Sequence, residues 1–234
     1  MKIIILNITK IKDNSLIVNG YSEEEGRCSF IFNVGKKRSA SIISILHPLS
    51  LVEVTLSKSR FSALETAKEI ESILQLKSIR SSVLKSSLSI FIGEVISKCI
   101  KEIETNAKMF NYLINLVKRV ENAEENIANL HLDFIVEFTS LLGFTPNNNY
   151  SSENRYFNID TAQFRPYYDD SKLSFNLIES EILYTILKRE NTVILNLCGD
   201  KRYEFVKKMI LFIEHHLGFK LNIKSLDVLH EIFQ

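Results

Sequence analysis

Near residue 60 the spacing of apolar residues lengthens from two to between three and four, so the chain passes from strand-forming to helix-forming sequence. Before that point the apolar residues come in short β-branched runs: Ile3–Ile8, Ser15–Val18, Cys28–Val34, Ser41–Leu46 and Leu49–Leu56. Turn-like breaks separate them at Lys12-Asp13-Asn14, Glu23-Glu24-Glu25-Gly26 and Gly35-Lys36-Lys37-Arg38. Cys28, Phe30, Phe32 and Val34 alternate with Ser29, Ile31 and Asn33, which puts one face on a core and the other toward water. The runs leave no room for crossover helices. Closure into a small antiparallel β-barrel is the expected arrangement, because it removes exposed sheet edges.

Beyond residue 60 the period is helical. Phe61–Leu76 aligns Leu64, Ala67, Ile70, Ile73 and Leu74 on one stripe, which predicts a helix. Further helices are predicted over Ser82–Ile103, Phe110–Val120, Ile127–Leu142, Ser180–Lys188, Arg202–Leu217 and Ser225–Phe233. The fold class is therefore α+β: a barrel domain over residues 1–80 and an α-helical bundle over 81–234. Within the bundle, periodicity fails between Thr145 and Phe175. That stretch is polar yet rich in Tyr and Phe, and is expected to be an irregular insertion held by its rings.

No catalytic constellation stands out. The sequence has no GxxxxGK[ST] loop, no GxGxxG turn and no GxSxG elbow, so no enzymatic activity is expected. His215 and His216 are neighbours on a predicted helix, where their rings diverge by about 100° and chelate a metal poorly; a helix C-terminus closed by Gly218 accounts for them. Asp169-Asp170 has no third carboxylate at a useful spacing and reads as a solvated loop. Cys28, Cys99 and Cys198 form no CxxC pair and read as buried reduced thiols, which fits a cytoplasmic protein. The longest unbroken apolar run, Met209–Ile213, is far short of the ~18 residues a membrane span needs.

The formal net charge is only +1, which excludes a uniformly basic protein coated by phosphate. Its distribution says more. Residues 1–80 carry 12 Lys and Arg against 8 Asp and Glu, whereas residues 81–234 carry 17 against 20. Lys36, Lys37 and Arg38 form the densest basic cluster, with Lys10, Lys12, Arg27, Lys58 and Arg60 near other strand ends. Basic side chains at several loops of a small barrel can form one groove that tracks a phosphate backbone. A solvated hairpin whose lysines guard an edge explains the same residues. Ile31 and Leu51 fall opposite the core faces, and Tyr21, placed at a turn, is the one ring offered for base stacking.

A family resemblance rests on several segments in order. Thr9–Val18 followed by Tyr21–Gly26 resembles the opening of the bacterial recombination mediator RecO family. The strand Ser29–Val34, the basic loop Gly35–Arg38 and the run His47-Pro48-Leu49-Ser50-Leu51-Val52-Glu53-Val54 are similar to its next features. So are "LSIFIGEVISK" at Leu88–Lys98, "FIVEFTSLLGFTP" at Phe134–Pro146, "YFNIDTAQF" at Tyr156–Phe164 and the stretch Ile178–Leu187.

The resemblance implies an N-terminal OB-fold, a C-terminal helical domain and a non-enzymatic role in DNA repair at the nucleoid. It implies binding to single- and double-stranded DNA and annealing of complementary strands. It also implies capture of the tail of single-strand-binding protein and, with RecR, help in loading RecA. A tail of acidic and apolar residues wants an apolar pocket rimmed by cations, for which Leu88, Phe91 and Ile92 with Lys98, Lys118 or Arg119 are candidates, unless these apolar residues are simply bundle core. Many family members carry a cysteine-based zinc site where this chain has Thr145–Phe175; with no cysteine there, no zinc is expected. The alternative function is a protein-interaction scaffold of the same fold with little DNA affinity of its own.

Overall fold

The computed structural model describes residues 1–12, 14–34, 45–58, 63–101, 105–169, 173–188 and 196–233. Its first five strands are β1 (Lys2–Lys12), β2 (Ser15–Ser22), β3 (Gly26–Asn33), β4 (Leu51–Ser57) and β5 (Glu65–Ser72). They close into a barrel in the order β1-β2-β3-β5-β4, antiparallel except for the β3–β5 pair. That is the OB-fold arrangement. Ile3, Ile5, Val18, Phe30, Phe32, Val52, Val54, Ala67 and Ile70 fill its interior, the alternation that makes each strand two-faced.

The helix predicted over Phe61–Leu76 is instead strand β5. The β4–β5 register slips between Thr55, which faces Glu69, and Leu56, which faces Ala67. Lys68 is the extra residue of that bulge, so Ala67 and Ile70 both reach the core three positions apart. A bulged strand thus mimics a helical spacing. The strand predicted at Ser41–Leu46 lies largely outside the described residues.

Helices follow: α1 (Lys77–Ser81), α2 (Val83–Cys99), α3 (Ala107–Asn122), α4 (Leu130–Leu141), α5 (Leu177–Lys188), α6 (Gly199–Leu217) and α7 (Ser225–Ile232). The change from strand to helix comes between Ser72 and Lys77 rather than near residue 60. The compact units part later, after Ala123, giving Met1–Ala123 and Glu124–Gln234. The first three helices join the barrel because α2 lies directly on β1. Gly93 allows this, as a Cβ there would stand 2.2 Å from the Leu6 carbonyl oxygen. Asn7 Nδ2 donates to Ser97 Oγ at 3.0 Å, and His47 Nε2 meets Ser86 Oγ at 3.1 Å.

In the second unit, α4 ends at Gly143 and α6 at Gly218, both with positive φ, as the glycine positions predict. His216, near the end of α6, stacks on Phe144 and reaches the Ile159 carbonyl at 3.0 Å. The described residues of the stretch 145–175 include a hairpin of β6 (Tyr156–Asn158) and β7 (Gln163–Arg165). Phe157, Phe164 and Phe175 are buried beneath it, and Phe157 meets the rings of Phe164, Phe175 and Phe212 edge-on at 5.1–5.6 Å. Ring contacts thus pack the described part of this stretch against α6.

Two readings of single residues change. Tyr21 lies in β2 and is buried, its hydroxyl at the Asn106 backbone and its ionisation pushed up by burial, so it offers no stacking platform. Leu51 is buried as well. Of the cysteines, Cys99 is buried and Cys28 half-buried, with burial and nearby Glu25 pushing its thiol up to about 12, but Cys198 is exposed at the start of α6.

Candidate nucleic-acid interface

The barrel presents one uncharged row across all five strands. Thr9 pairs with Ile17, Ile17 with Ile31, Ile31 with Thr66 and Thr66 with Ser57. Their sequence neighbours Ile8, Val18, Phe30, Phe32, Ala67 and Leu56 pack inward, so by strand alternation these five point outward. Lys10 follows Thr9 at one end and Lys58 follows Ser57 at the other, and both are exposed. The row crosses the β2–β3 face that OB-folds use for oligonucleotides. Ile31 was recognisable from its alternation. Ile17, Thr9, Thr66 and Ser57 were missed, because their alignment is set by pairing between distant strands and by the bulge at Lys68.

Lys12 faces Ser15, which faces Asn33 at the end of β3, and Val34 N–H donates to Asn14 O at 2.8 Å. The backbone therefore leaves β3 beside the end of β1 that carries Lys10 and Lys12. Lys36, Lys37, Arg38 and Arg60 lie outside the described residues. Arg27 is not part of this grouping. It pairs with Tyr21 at the opposite end of β3, and its Nη1 donates to the Ile100 carbonyl just past α2 at 3.0 Å. Beyond the row toward that end, Ser29, Asn19, Asn7 and Ser97 form a hydrogen-bonded chain with links of 2.6–3.0 Å. This part of the β1–β3 face is thus committed to holding α2.

Glu65 directly precedes Thr66 of the row, whereas other acidic residues of the barrel lie elsewhere. Glu53 sits directly opposite Glu71 on β4 and β5, Glu69 is exposed nearby on β5, and Glu23, Glu24 and Glu25 form the β2–β3 turn. Lys2, opposite Glu53 and 4.0 Å from Glu23, is the basic residue set among them.

The peptide-pocket candidates are placed differently from the sequence expectation. Leu88, Phe91 and Ile92 have no exposed surface and are core residues of α2. Lys98 is ion-paired to Glu94 at 2.8 Å, Lys118 is exposed, and Arg119 is half-buried on α3. This is the bundle-core alternative: α2 is apolar on several sides, and periodicity does not tell which apolar residue is covered. Val83, Leu84 and Ile90 are the exposed apolar side chains of this helix. Among the described residues no group of His, Cys, Asp and Glu is arranged to hold a metal ion, and no described helix is long and apolar enough to cross a membrane.

Comparison with known proteins agrees with this architecture. The family model described as "Recombination protein O N terminal" matches residues 1–75, the barrel. The chain is 31% identical to DNA repair protein RecO of Azobacteroides pseudotrichonymphae, over 99% of this chain and 98% of that protein. The chain belongs to the RecO family. Its likeness to RecO of Flavobacterium psychrophilum is 30% over 99% and 98% of the two chains, and to RecO of Bacteroides fragilis 30% over 98% and 97%. As these alignments run nearly end to end, the RecO resemblance includes the helical unit as well as the OB-fold.

Proposed function

We propose that this RecO-family chain binds single- and double-stranded DNA on its barrel, anneals complementary strands, and acts with RecR and single-strand-binding protein to promote RecA loading. The observation that carries the DNA reading is the neutral row Thr9–Ile17–Ile31–Thr66–Ser57 with Lys10 and Lys58 at its ends. Lys12 lies on the same strand as Lys10, and Lys36, Lys37, Arg38 and Arg60, outside the described residues, are proposed as further phosphate contacts. Lysines at the margin screen phosphate repulsion and release counterions. The row between them has no aromatic ring to clamp a base, so bases held there stay available for pairing. Family membership supports the partner proteins. The helical unit, net acidic in sequence, is assigned the larger part of those contacts. No catalytic step and no zinc is assigned to the chain.

The test is fluorescence annealing of complementary oligonucleotides, with single-strand binding measured across a salt series. Wild-type protein binds more weakly as salt rises. Joint replacement of Lys10, Lys12, Lys36, Lys37, Arg38 and Lys58 by Glu lowers affinity at least tenfold and flattens the salt slope, as expected when several phosphate contacts are lost. Wild-type protein that neither binds nor anneals at low salt, yet retains RecR or single-strand-binding protein, would make the chain a protein scaffold instead.

A further inference from the structure

We propose that the outer face of the β6–β7 hairpin is a second contact for single-stranded DNA, holding unpaired bases by stacking on Tyr156, Tyr167 and Tyr168. The inference rests on the DNA-binding reading of the family member and adds a site of different chemistry to it. The hairpin is two-faced. Phe157 and Phe164 face each other inside the unit, whereas Tyr156 faces Arg165 on the other side. The Tyr168 ring lies 5.7 Å from that of Tyr156, and Tyr167 and Tyr168 are 60% and 45% exposed. Rings this large are left in water where no neighbouring side chain covers them, although the Phe residues of the same segment are fully packed.

The surroundings favour bases over a peptide strand. The Asn149 side chain donates to Phe164 O at 2.9 Å and accepts from Phe164 N–H at 2.8 Å, which occupies the free edge of β7. The β6 edge is taken by 173–175, with Phe175 N–H donating to Phe157 O and Ile159 N–H to Leu173 O, both at 2.8 Å. A peptide therefore cannot add to this hairpin as a further strand. What remains is an open face of tyrosine rings with a guanidinium beside them, the combination that binds single strands irrespective of sequence. Glu181 pairs with Arg155 at 3.0 Å and Asp169 follows Tyr168, so the attraction to phosphate is small and stacking has to dominate. Such binding depends weakly on salt, unlike binding at the barrel.

The chain has no Trp and 8 Tyr, of which Tyr150, Tyr156, Tyr167, Tyr168 and Tyr184 lie in this region, so intrinsic emission reports on it directly. The full chain is titrated with short oligothymidylate at low and high salt, following tyrosine emission and the anisotropy of a labelled oligonucleotide. We expect quenching at both salts. The pair Tyr167→Ala/Tyr168→Ala loses affinity about tenfold at high salt with an unchanged salt slope, whereas Tyr167→Phe/Tyr168→Phe keeps its rings and its affinity. An Ala pair that binds as wild type at high salt overturns the second site and leaves the barrel reading intact. So does an Ala pair that keeps DNA but loses a polyproline peptide, which assigns the face to protein. A wild-type chain that binds no oligonucleotide even at low salt overturns both.

Discussion

Gly93 on α2 and Leu6 on β1 approach so closely that a methyl group on the glycine would lie 2.2 Å from the Leu6 carbonyl oxygen and 3.4 Å from Pro48 Cβ. The obstacle is backbone on a barrel strand, which has little freedom to retreat. Gly93→Ala should therefore lift the helix from the barrel and lower stability by about 2 kcal/mol or more, as overpacking does. Denaturant unfolding of the full chain measures this, and a variant as stable as wild type would refute the close approach.

Glu121 near the end of α3 should act as the keystone of the first three helices. Its carboxylate accepts the Ser78 and Ile79 N–H groups at 2.7 and 2.9 Å, satisfying donors at the start of α1. The buried ammonium of Lys85 donates to Ser78 Oγ at 2.6 Å and to the Glu121 carbonyl at 2.7 Å. Glu121→Ala strands those amides and is expected to cost about 2 kcal/mol. Chemical unfolding would show the loss, whereas Glu121→Gln, which retains an oxygen acceptor, should lose less.

Arg27 distinguishes a structural cation from a DNA contact. With Nη1 spent on the Ile100 carbonyl, Arg27→Gln should reduce stability while leaving the salt slope of DNA binding unchanged. A flattened slope in that variant would place Arg27 on the phosphate path after all.

His131 should make the second unit sensitive to acid. Burial, reinforced by the Arg202 guanidinium, lowers its imidazole from 6.5 to about 3. The folded pKa is below the unfolded one, so the unfolded chain takes up a proton first. Stability from this residue is complete above the unfolded pKa and falls as pH drops from 6.5 toward 3. The slope approaches about 1.4 kcal/mol per pH unit for one proton. His131→Gln should remove that component, seen as a shallower pH dependence between about pH 6 and pH 5, where carboxylates contribute less.

The insertion should depend on rings rather than on a metal. Phe164→Ala removes a buried side chain that Phe157 and Tyr150 both contact, and a loss of about 3 kcal/mol is expected. A chelator should leave the melting temperature of wild-type protein unchanged; a lowered midpoint restored by zinc would contradict this.

Much of this fold is written in the local pattern. Cys28–Val34 alternates because each strand of a small barrel has a wet side, and the ends of α4 and α6 follow from Gly143 and Gly218. What could not be read locally depended on partners far along the chain. Lys68 turns an alternating strand into an apparent helix because the ladder slips there, and nothing in residues 61–76 reveals the slip. Leu88, Phe91 and Ile92 look like any apolar helix face until the neighbours covering them are known. Tyr21 reads as a turn residue because the apolar run ends at Val18, whereas β2 continues by pairing to Ser22. The same limitation hid the row from Thr9 to Ser57, whose members become neighbours only through pairing across all five strands.

The amide of Asn149 has a consequence beyond the segment it orders. By taking both hydrogen-bonding groups of Phe164, it does the work of a missing β-strand with one side chain. Two-stranded hairpins with bare edges recruit one another when molecules are crowded. A protein gathered in many copies along one stretch of nucleic acid would face that hazard continually. The hairpin here has no vacant rung to offer, so neighbouring copies can lie side by side without knitting into a common sheet.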